Sequence, residues 1–516
     1  MTNRSKHTAG IRSRRVRGFI LFALGLVLLF TAACQPQLVT PPRLGTAEAL
    51  SAAMEQATAE PMNLPAPTPT DSPPEIRPLD TSTVPEIEVW INETSEEHRQ
   101  VVQAMADDFR ERSGVEVALQ FISPSLLPDL AATAVLSNTL PDVILLPLEF
   151  TVSWSENGIL DPAAAEAIID NIGRETFDQG ALDLVQVEGQ SAAIPSDGYH
   201  QLLLYRSDWF EENGLDKPDN YDDMMSAAET LFDLDNLISG LVIPTESNLI
   251  NTQRAFEHLA IANNCQLIDE SGEILLLEPE CRDALDFYFA IVNQYSPPGV
   301  QTDTSARNAF LDGRTAMIMS SPSILPDLVK ANRLDRNTGI VTSIRGDSTG
   351  EDSANFGNIT YLGITQEADP ASAAFANYWF NEGYQTWLEV ESERKVPMRL
   401  GTLERPDLYI DAWGTSPVLQ GENLNDIVGP EVVEQLRNNI GLTNRWGFRQ
   451  GQGELIGKIY DDLTLSIVLQ EMLSGYFNSA KTIFEAYNRV IDLIPDYSFP
   501  IIPTPEAGSI DIDTES

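Results

Sequence analysis

The 516-residue chain predicts an α/β fold, a sheet with helices on its faces. Three observations carry that expectation. Between residues 86 and 147, segments with a two-residue apolar period alternate with segments of helical period. The third strand, "DVILLP", is continuously apolar, as suits a strand covered on both faces. Between two proline-containing ends lie roughly 410 residues, enough to bury the cores of two lobes.

In chain order, the first feature is a basic head, Arg4, Lys6, Arg12, Arg14, Arg15 and Arg17, with no acid before Cys34. An apolar run from Gly18 to Phe30 follows, then the small residues Ala32 and Ala33. Residues 1–33 therefore read as a secretory signal peptide, the run being short for a membrane span. The alternative is a permanent single-span anchor. "TAAC" resembles the lipobox of bacterial lipoproteins, although Thr31 stands where that motif prefers an aliphatic residue. The resemblance implies lipidation of Cys34, a tether whose acyl chains contribute about 0.8 kcal/mol per buried CH₂.

Residues 34–84 form a Pro/Thr-rich linker ("PAPTPTDSPP") that cannot bury enough apolar area to offset its conformational entropy. Residues 496–516 read as an acidic tail of the same kind. Between them, "EIEVWI" places Ile87, Val89 and Ile91 on one face of a strand. Ser95 to Arg112 carries Val101, Val102, Met105 and Phe109 at helical spacing, with Ser95 as the cap and Ser113-Gly114 as the stop. Val115–Ile122 alternates again, Leu126–Asn138 is helical, and the buried third strand follows.

Charge excludes whole classes of partner. The net charge is −45, and loss of the signal leaves 26 basic against 77 acidic residues, a net of −51. Such a polyanion is repelled by nucleic acid and by anionic lipid. Cys265 and Cys281 flank "QLIDESGEILLLEPE", and in an exported protein an even pair reads as a disulfide. Zinc would need further ligands, and of four histidines only His258 lies near either cysteine.

"LPDVILLPLEFTVSWSENGILDP", then "AAIPSDGYHQLLLYRSDWFEENGLDKPDNYDDMMSAAETL", then "AFLDGRTAMIMSSP" resemble the extracellular solute-binding proteins of bacterial ABC importers, of the maltose and multiple-sugar type. "VPMRLG" and the closing "YFNSAKTIFEAYNRVIDL" continue the likeness, so that seven motifs carried on these five segments stand in the family's order over nearly the whole folded part. The resemblance implies a two-lobe periplasmic-binding-protein-like fold (type II) with a hinge and an interlobe ligand cleft. It assigns residues 85–196 plus 366–405 to lobe 1 and 197–365 plus 406–495 to lobe 2. Crossings would fall near Ala193–Asp197, Tyr361–Gln366 and residue 405. It also implies a small solute, most readily a mono- or oligosaccharide, delivered to an ABC permease by a monomer held outside the cytoplasm, without a cofactor.

Candidate ligand residues come from two sources. Ligands of α/β sheets sit beyond the carboxyl ends of the strands, which singles out Glu149 and Trp154 after the third strand; for Trp154 a place in the lobe core is an equal alternative, and for Glu149 the alternative is a solvated loop acid. The resemblance places Asp197 and Tyr199 at the cleft mouth, and Tyr205 and Trp209 in the packing. Trp446 stands in the Gly-flanked polar loop "TNRWGFRQG", where a large aromatic is a candidate cleft residue. Where family members carry a sugar-stacking tryptophan this chain has Ser320, Ser321 and Ser323, so Ser320 and Ser323 are taken as polar contacts. Aromatic faces and charged acceptors suit a sugar's CH surfaces and hydroxyls. Glu149→Ala and Tyr199→Ala are expected to weaken binding with little loss of stability.

Signatures of catalysis are missing from the sequence. It contains no His-Glu-x-x-His and no Gly-x-Ser-x-Gly. "GQGELIGK" lacks the spacing and the Ser/Thr of a phosphate loop, and "DLDN" departs from a calcium loop at Leu237 and Ile238. The expectation is a binding protein and not an enzyme; the alternatives are a lipid-anchored ligand sensor and a glycoside hydrolase.

Overall fold

The computed structural model describes residues 85–332, 337–350, 354–419, 421–439 and 443–495. The expected signal peptide, Cys34 and the expected linker and tail lie outside them. Strand β1 (Glu86–Ile91) leads into helix α1 (Glu96–Ser113), whose N-cap Ser95 accepts from the His98 amide and whose stop is Gly114 at φ 74°. Strand β2 (Glu116–Phe121), helix α2 (Leu127–Ser137), the wholly buried β3 (Val143–Pro147) and helix α3 (Leu148–Glu156) follow. The expected strand and helix alternation is therefore present at the expected residues.

Two sheets organise the rest. β4 (Ile194–His200) belongs to the first sheet, whereas β5 (Leu202–Tyr205), β6 (Ser239–Val242), β7 (Thr315–Ser320) and β8 (Gly339–Val341) make the second. β9 (Gly357–Ile364) and the short β10 (Val396–Pro397) return to the first. The first sheet has the order β10-β4-β9-β3-β1-β2, with β1 parallel to β2 and β3 and with β9 antiparallel to β3 and β4. The second has the order β8-β5-β7-β6, and β6 and β7 are parallel.

The chain passes from first sheet to second at Gln201, whose amide donates to the Phe356 carbonyl at 2.9 Å, and it returns ahead of Gly357. β4 and β9 therefore both lie in the first sheet, although the sequence reading cuts β4 after Ser196 and assigns the whole of β9 to lobe 2. They pair with each other along their length, and that mutual hydrogen bonding holds them together.

Period two sorts the β1 and β3 side chains between two cores. Ile87, Val89, Ile91, Val143 and Leu145 pack with α1 residues and with Phe375, Trp379 and Trp387 on one face. Trp90, Ile144 and Leu146 enter the larger core on the other face. Helices α4 (Ile250–Ala262) and α5 (Pro279–Tyr295) cover the second sheet, and Cys265 and Cys281 between them form a disulfide.

Three helices close the chain: α6 (Gly453–Asp461), α7 (Thr464–Leu473) and α8 (Ser479–Asp492). The glycines of "GQGELIGK" have a packing use. A Cβ at Gly453 would stand 2.7 Å from Val152 Cβ, and one at Gly457 would run into Ser153, so α6 lies against α3 along its glycines. Helix propensity alone favours Gly457→Ala by about 1 kcal/mol. The close approach predicts the opposite sign, a loss of about 1–3 kcal/mol from overpacking, measurable by urea denaturation.

Candidate functional site

The carboxyl ends of the parallel strands of both sheets converge on one groove. Asn92 and Glu93 follow β1, Pro124 and Ser125 follow β2, and Pro147 ends β3; all border a cavity of about 220 Å³. Its opposite wall is Asn251 and Arg254 from α4 and Asp303 from the helix Asp303–Leu311, elements attached to the second sheet. A neighbouring cavity of about 240 Å³ lies on the second-sheet side, between Arg307 and Ser320, Ser321 and Ser323 at and just beyond the end of β7. Tyr199, Asn251 and Asp303 line both. A larger hollow of about 370 Å³ between the ends of α5 and α7 draws on the second-sheet half alone and lies apart from this groove.

Not all of the residues read from the sequence meet here. Tyr199, Ser320 and Ser323 do, and Tyr199 is the one aromatic lining either cavity among the described residues. Ser323 is tied to the Arg307 guanidinium through its carbonyl at 2.7 Å and its hydroxyl at 3.4 Å. Trp154 is buried and stacks on Phe150, which answers to its core reading.

Glu149 stands behind the groove. It is wholly buried, and its Oε1 accepts from Arg254 Nε and from Arg445 Nη2, both at 2.8 Å. Burial, which by itself would raise its pKa, is outweighed by the two guanidinium groups, and the carboxyl is held at about 2. The expectation that Glu149→Ala spares stability is reversed by this burial.

Asp197 is buried as well. It accepts from Trp387 Nε1 at 2.6 Å and from Ser196 Oγ at 2.8 Å. Its pKa is raised by burial, against the attraction of Lys395. Trp446 is 1 % exposed and donates Nε1 to the Cys265 carbonyl at 2.8 Å, a place in the core and away from the groove. Its loop can be buried because its polar groups find partners: Arg445 Nε and the Trp446 amide both donate to Glu257 Oε1 at 2.9 Å.

Several groove residues escape the sequence reading. Asn92 and Glu93 stand at the carboxyl end of β1, where the rule applied to β3 would have found them. Arg254 is the one Lys or Arg in α4, where most side chains are buried, and a cation in such a helix signals a buried partner. Arg394 adjoins "VPMRLG"; it donates to Glu93 and to Glu391, each at 2.7 Å. Burial alone would lower its pKa, but those two carboxylates hold it well above the usual value. Asp303 is exposed at the groove wall and accepts from Asn251 at 3.0 Å.

The groove thus offers guanidinium donors, carboxylate and amide acceptors, and one aromatic ring, with walls from both sheets. Among the described residues no group of three or more His, Cys, Asp or Glu is placed to hold a metal ion, and no helix is long and apolar enough to cross a membrane. Tyr199→Ala should weaken ligand binding about tenfold, the scale of one stacking or hydrogen-bonding contact of 1.4 kcal/mol. Because the residue is only half-buried, the same variant should lose less than about 1 kcal/mol of stability. Calorimetric titration paired with a thermal melt reads both.

Comparison with known proteins follows the same lines. The model of a family described as bacterial extracellular solute-binding protein matches residues 104–411. The chain is 24 % identical over 387 residues, 73 % of its length and 87 % of the relative's, to the putative ABC transporter periplasmic-binding protein YcjN of Escherichia coli strain K12. It is similar in structure to an ABC transporter solute-binding protein of Thermotoga lettingae bound with α-D-tagatose. There the identity is 19 %, coverage 79 % of this chain and 99 % of that one, and the TM-score 0.64. It is likewise similar to a sugar transporter protein of Arthrobacter chlorophenolicus with bound laminaribiose, at 14 % identity, coverage of 79 % and 99 %, and a TM-score of 0.65. At these identities the structural likeness is one of fold.

Proposed function

The chain belongs to the bacterial extracellular solute-binding protein family, and from that premise we propose that it captures a small sugar in the groove between its two sheets and hands it to an ABC permease. One observation carries the reading: a polar cavity at the strand ends receives residues from both sheets, so that a solute there is gripped from two sides. A sugar suits it. Hydroxyls can donate to Asp303 and accept from Arg254 and Arg394, and hydrogen bonds to charged groups contribute about 1.5–3 kcal/mol each. The Thermotoga relative holds tagatose and the Arthrobacter relative laminaribiose, which supports the same class.

The mechanism is hinge closure. The two halves, divided where the chain passes between sheets at Gln201 and ahead of Gly357, move about the connections that meet at Gln201 and Phe356. A solute that touches both halves only when they are closed shifts the population to the closed form by its differential affinity. The closed form is what the permease recognises. Lipidation at Cys34 holds the protein outside the cytoplasm on the membrane, and residues 34–84 set its reach. Membership of a binding-protein family speaks against hydrolysis of the sugar.

Calorimetry of the full-length chain in detergent across mono- and disaccharides, with polyamine, ferric iron and peptide controls, tests the reading. Saturable binding of a sugar without product formation is expected. Binding of a control in place of every sugar, or release of a hydrolysed product, would overturn it.

A further inference from the structure

Resting on the reading of the groove as a sugar site, we propose that the sugar carries one carboxylate, as uronic and aldonic acids do, gripped between Arg254 of one half and Arg394 of the other. Each arginine is held from behind and offers a spare edge. Arg254 donates Nε to Glu149 at 2.8 Å and Nη1 to Asn251 at 3.2 Å. Arg394 donates Nε to Glu391 and Nη2 to Glu93, both at 2.7 Å. Among the described residues, Nη2 of Arg254 and Nη1 of Arg394 make no hydrogen bond, and both side chains border the same 220 Å³ cavity. Their side chains are 14 % and 18 % exposed, so these donors have little access to water outside the groove.

Guanidinium donors on opposite walls call for a group that accepts twice. A carboxylate has two oxygens, and its charge strengthens both bonds over those to a neutral hydroxyl. The acceptors in the cavity call for the rest of the molecule. Asn92 is 9 % exposed, and its Oδ1 is buried without a partner among the described residues; the Asp303 carboxylate lines the same space. Both accept from hydroxyls.

Charge limits the ligand to one negative group. Glu93 and Asp303 share the cavity with the two arginines, so a phosphate dianion meets two carboxylates as well. The net charge of −45 opposes the approach of any anion, but that field decays over about 8 Å at physiological salt, whereas contact with the arginines does not.

Calorimetry on the full-length chain in detergent compares glucuronate, galacturonate and gluconate with glucose and galactose, with glucose 6-phosphate and acetate as further arms. At least one sugar acid should bind about tenfold or more tighter than its neutral parent, the worth of one charged hydrogen bond. Arg254→Gln and Arg394→Gln should each weaken the acid about tenfold more than they weaken its neutral parent, and equal weakening of the two would overturn the carboxylate grip. A neutral parent binding as tightly as every acid in the unmutated protein would overturn the proposal and leave the sugar reading intact, with no dependence on how the variants fold. Tighter binding of glucose 6-phosphate, or of acetate alone, would overturn the assignment of a singly charged sugar acid. Absence of binding by acids and neutral sugars together would overturn the sugar reading beneath it.

Discussion

Glu149→Ala is expected to destabilise the folded protein by about 3–5 kcal/mol, the usual loss when one member of a buried charge network is removed. Four charged groups meet there. Arg254 and Arg445 share Glu149, and Arg445 also binds Glu257, which accepts from Tyr460 as well. Glu149, Arg445 and Glu257 are wholly buried, and only Arg254 reaches the groove. With alanine at 149, Arg445 keeps Glu257, whereas Arg254 loses its one carboxylate partner. Ligand affinity should fall too, because Arg254 loses the acceptor that orients it. Equilibrium unfolding in urea checks the first effect and calorimetry the second. A loss of stability under about 1 kcal/mol would show that the network is worth little more than a surface pair.

The acid limb gives an independent check with a definite sign. The Glu149 carboxyl is held at about 2 against an ordinary value of 4.5. A group with a depressed folded-state pKa contributes stability that is present above its unfolded value and is lost as pH falls through its folded value. The gap in stability between the unmutated protein and Glu149→Gln should therefore be full above about pH 4.5 and should narrow towards pH 2. A gap that stays constant across that window would contradict the ion-paired state of Glu149.

The first five elements were legible because local pattern decides them: period two in β1 and β2, helical spacing in α1, a serine cap and a glycine stop. What escaped was pairing over long separations. Nothing within "GNITYLGI" says that this strand will insert between β3 and β4, some two hundred residues earlier in the chain, yet that insertion decides where the chain crosses between sheets. The site divided along the same line. The carboxyl-end rule found Glu149 in the right neighbourhood but could not see that Arg254 and Arg445 would close over it. The same rule passes through Asn92 and Glu93, which were overlooked because a single polar pair after a strand resembles any loop. Ser320 and Ser323 were found through the family resemblance, by position, and the Arg307 that holds Ser323 was not.

Trp446→Ala is expected to cost about 3–5 kcal/mol, the range for removing a large aromatic from a core. The indole is 1 % exposed, meets Phe256 edge to face at 6.0 Å between centroids, and donates to the Cys265 carbonyl. Alanine leaves a cavity and strips a buried carbonyl of its donor; phenylalanine keeps most of the ring contact and loses only the hydrogen bond, at about 1–3 kcal/mol. The graded pair separates packing from polar loss. It also separates the two uses a tryptophan can have in such a protein. A cleft platform, once removed, costs affinity and leaves the melt unchanged, whereas this indole ties the 443–450 segment to the disulfide-closed segment behind α4. The adjacent Arg445 binds Glu149 and Glu257, so loosening Trp446 should lower ligand affinity only as far as it disturbs that network. A Trp446→Ala variant that melts like the unmutated protein but no longer binds its ligand would return this residue to the groove.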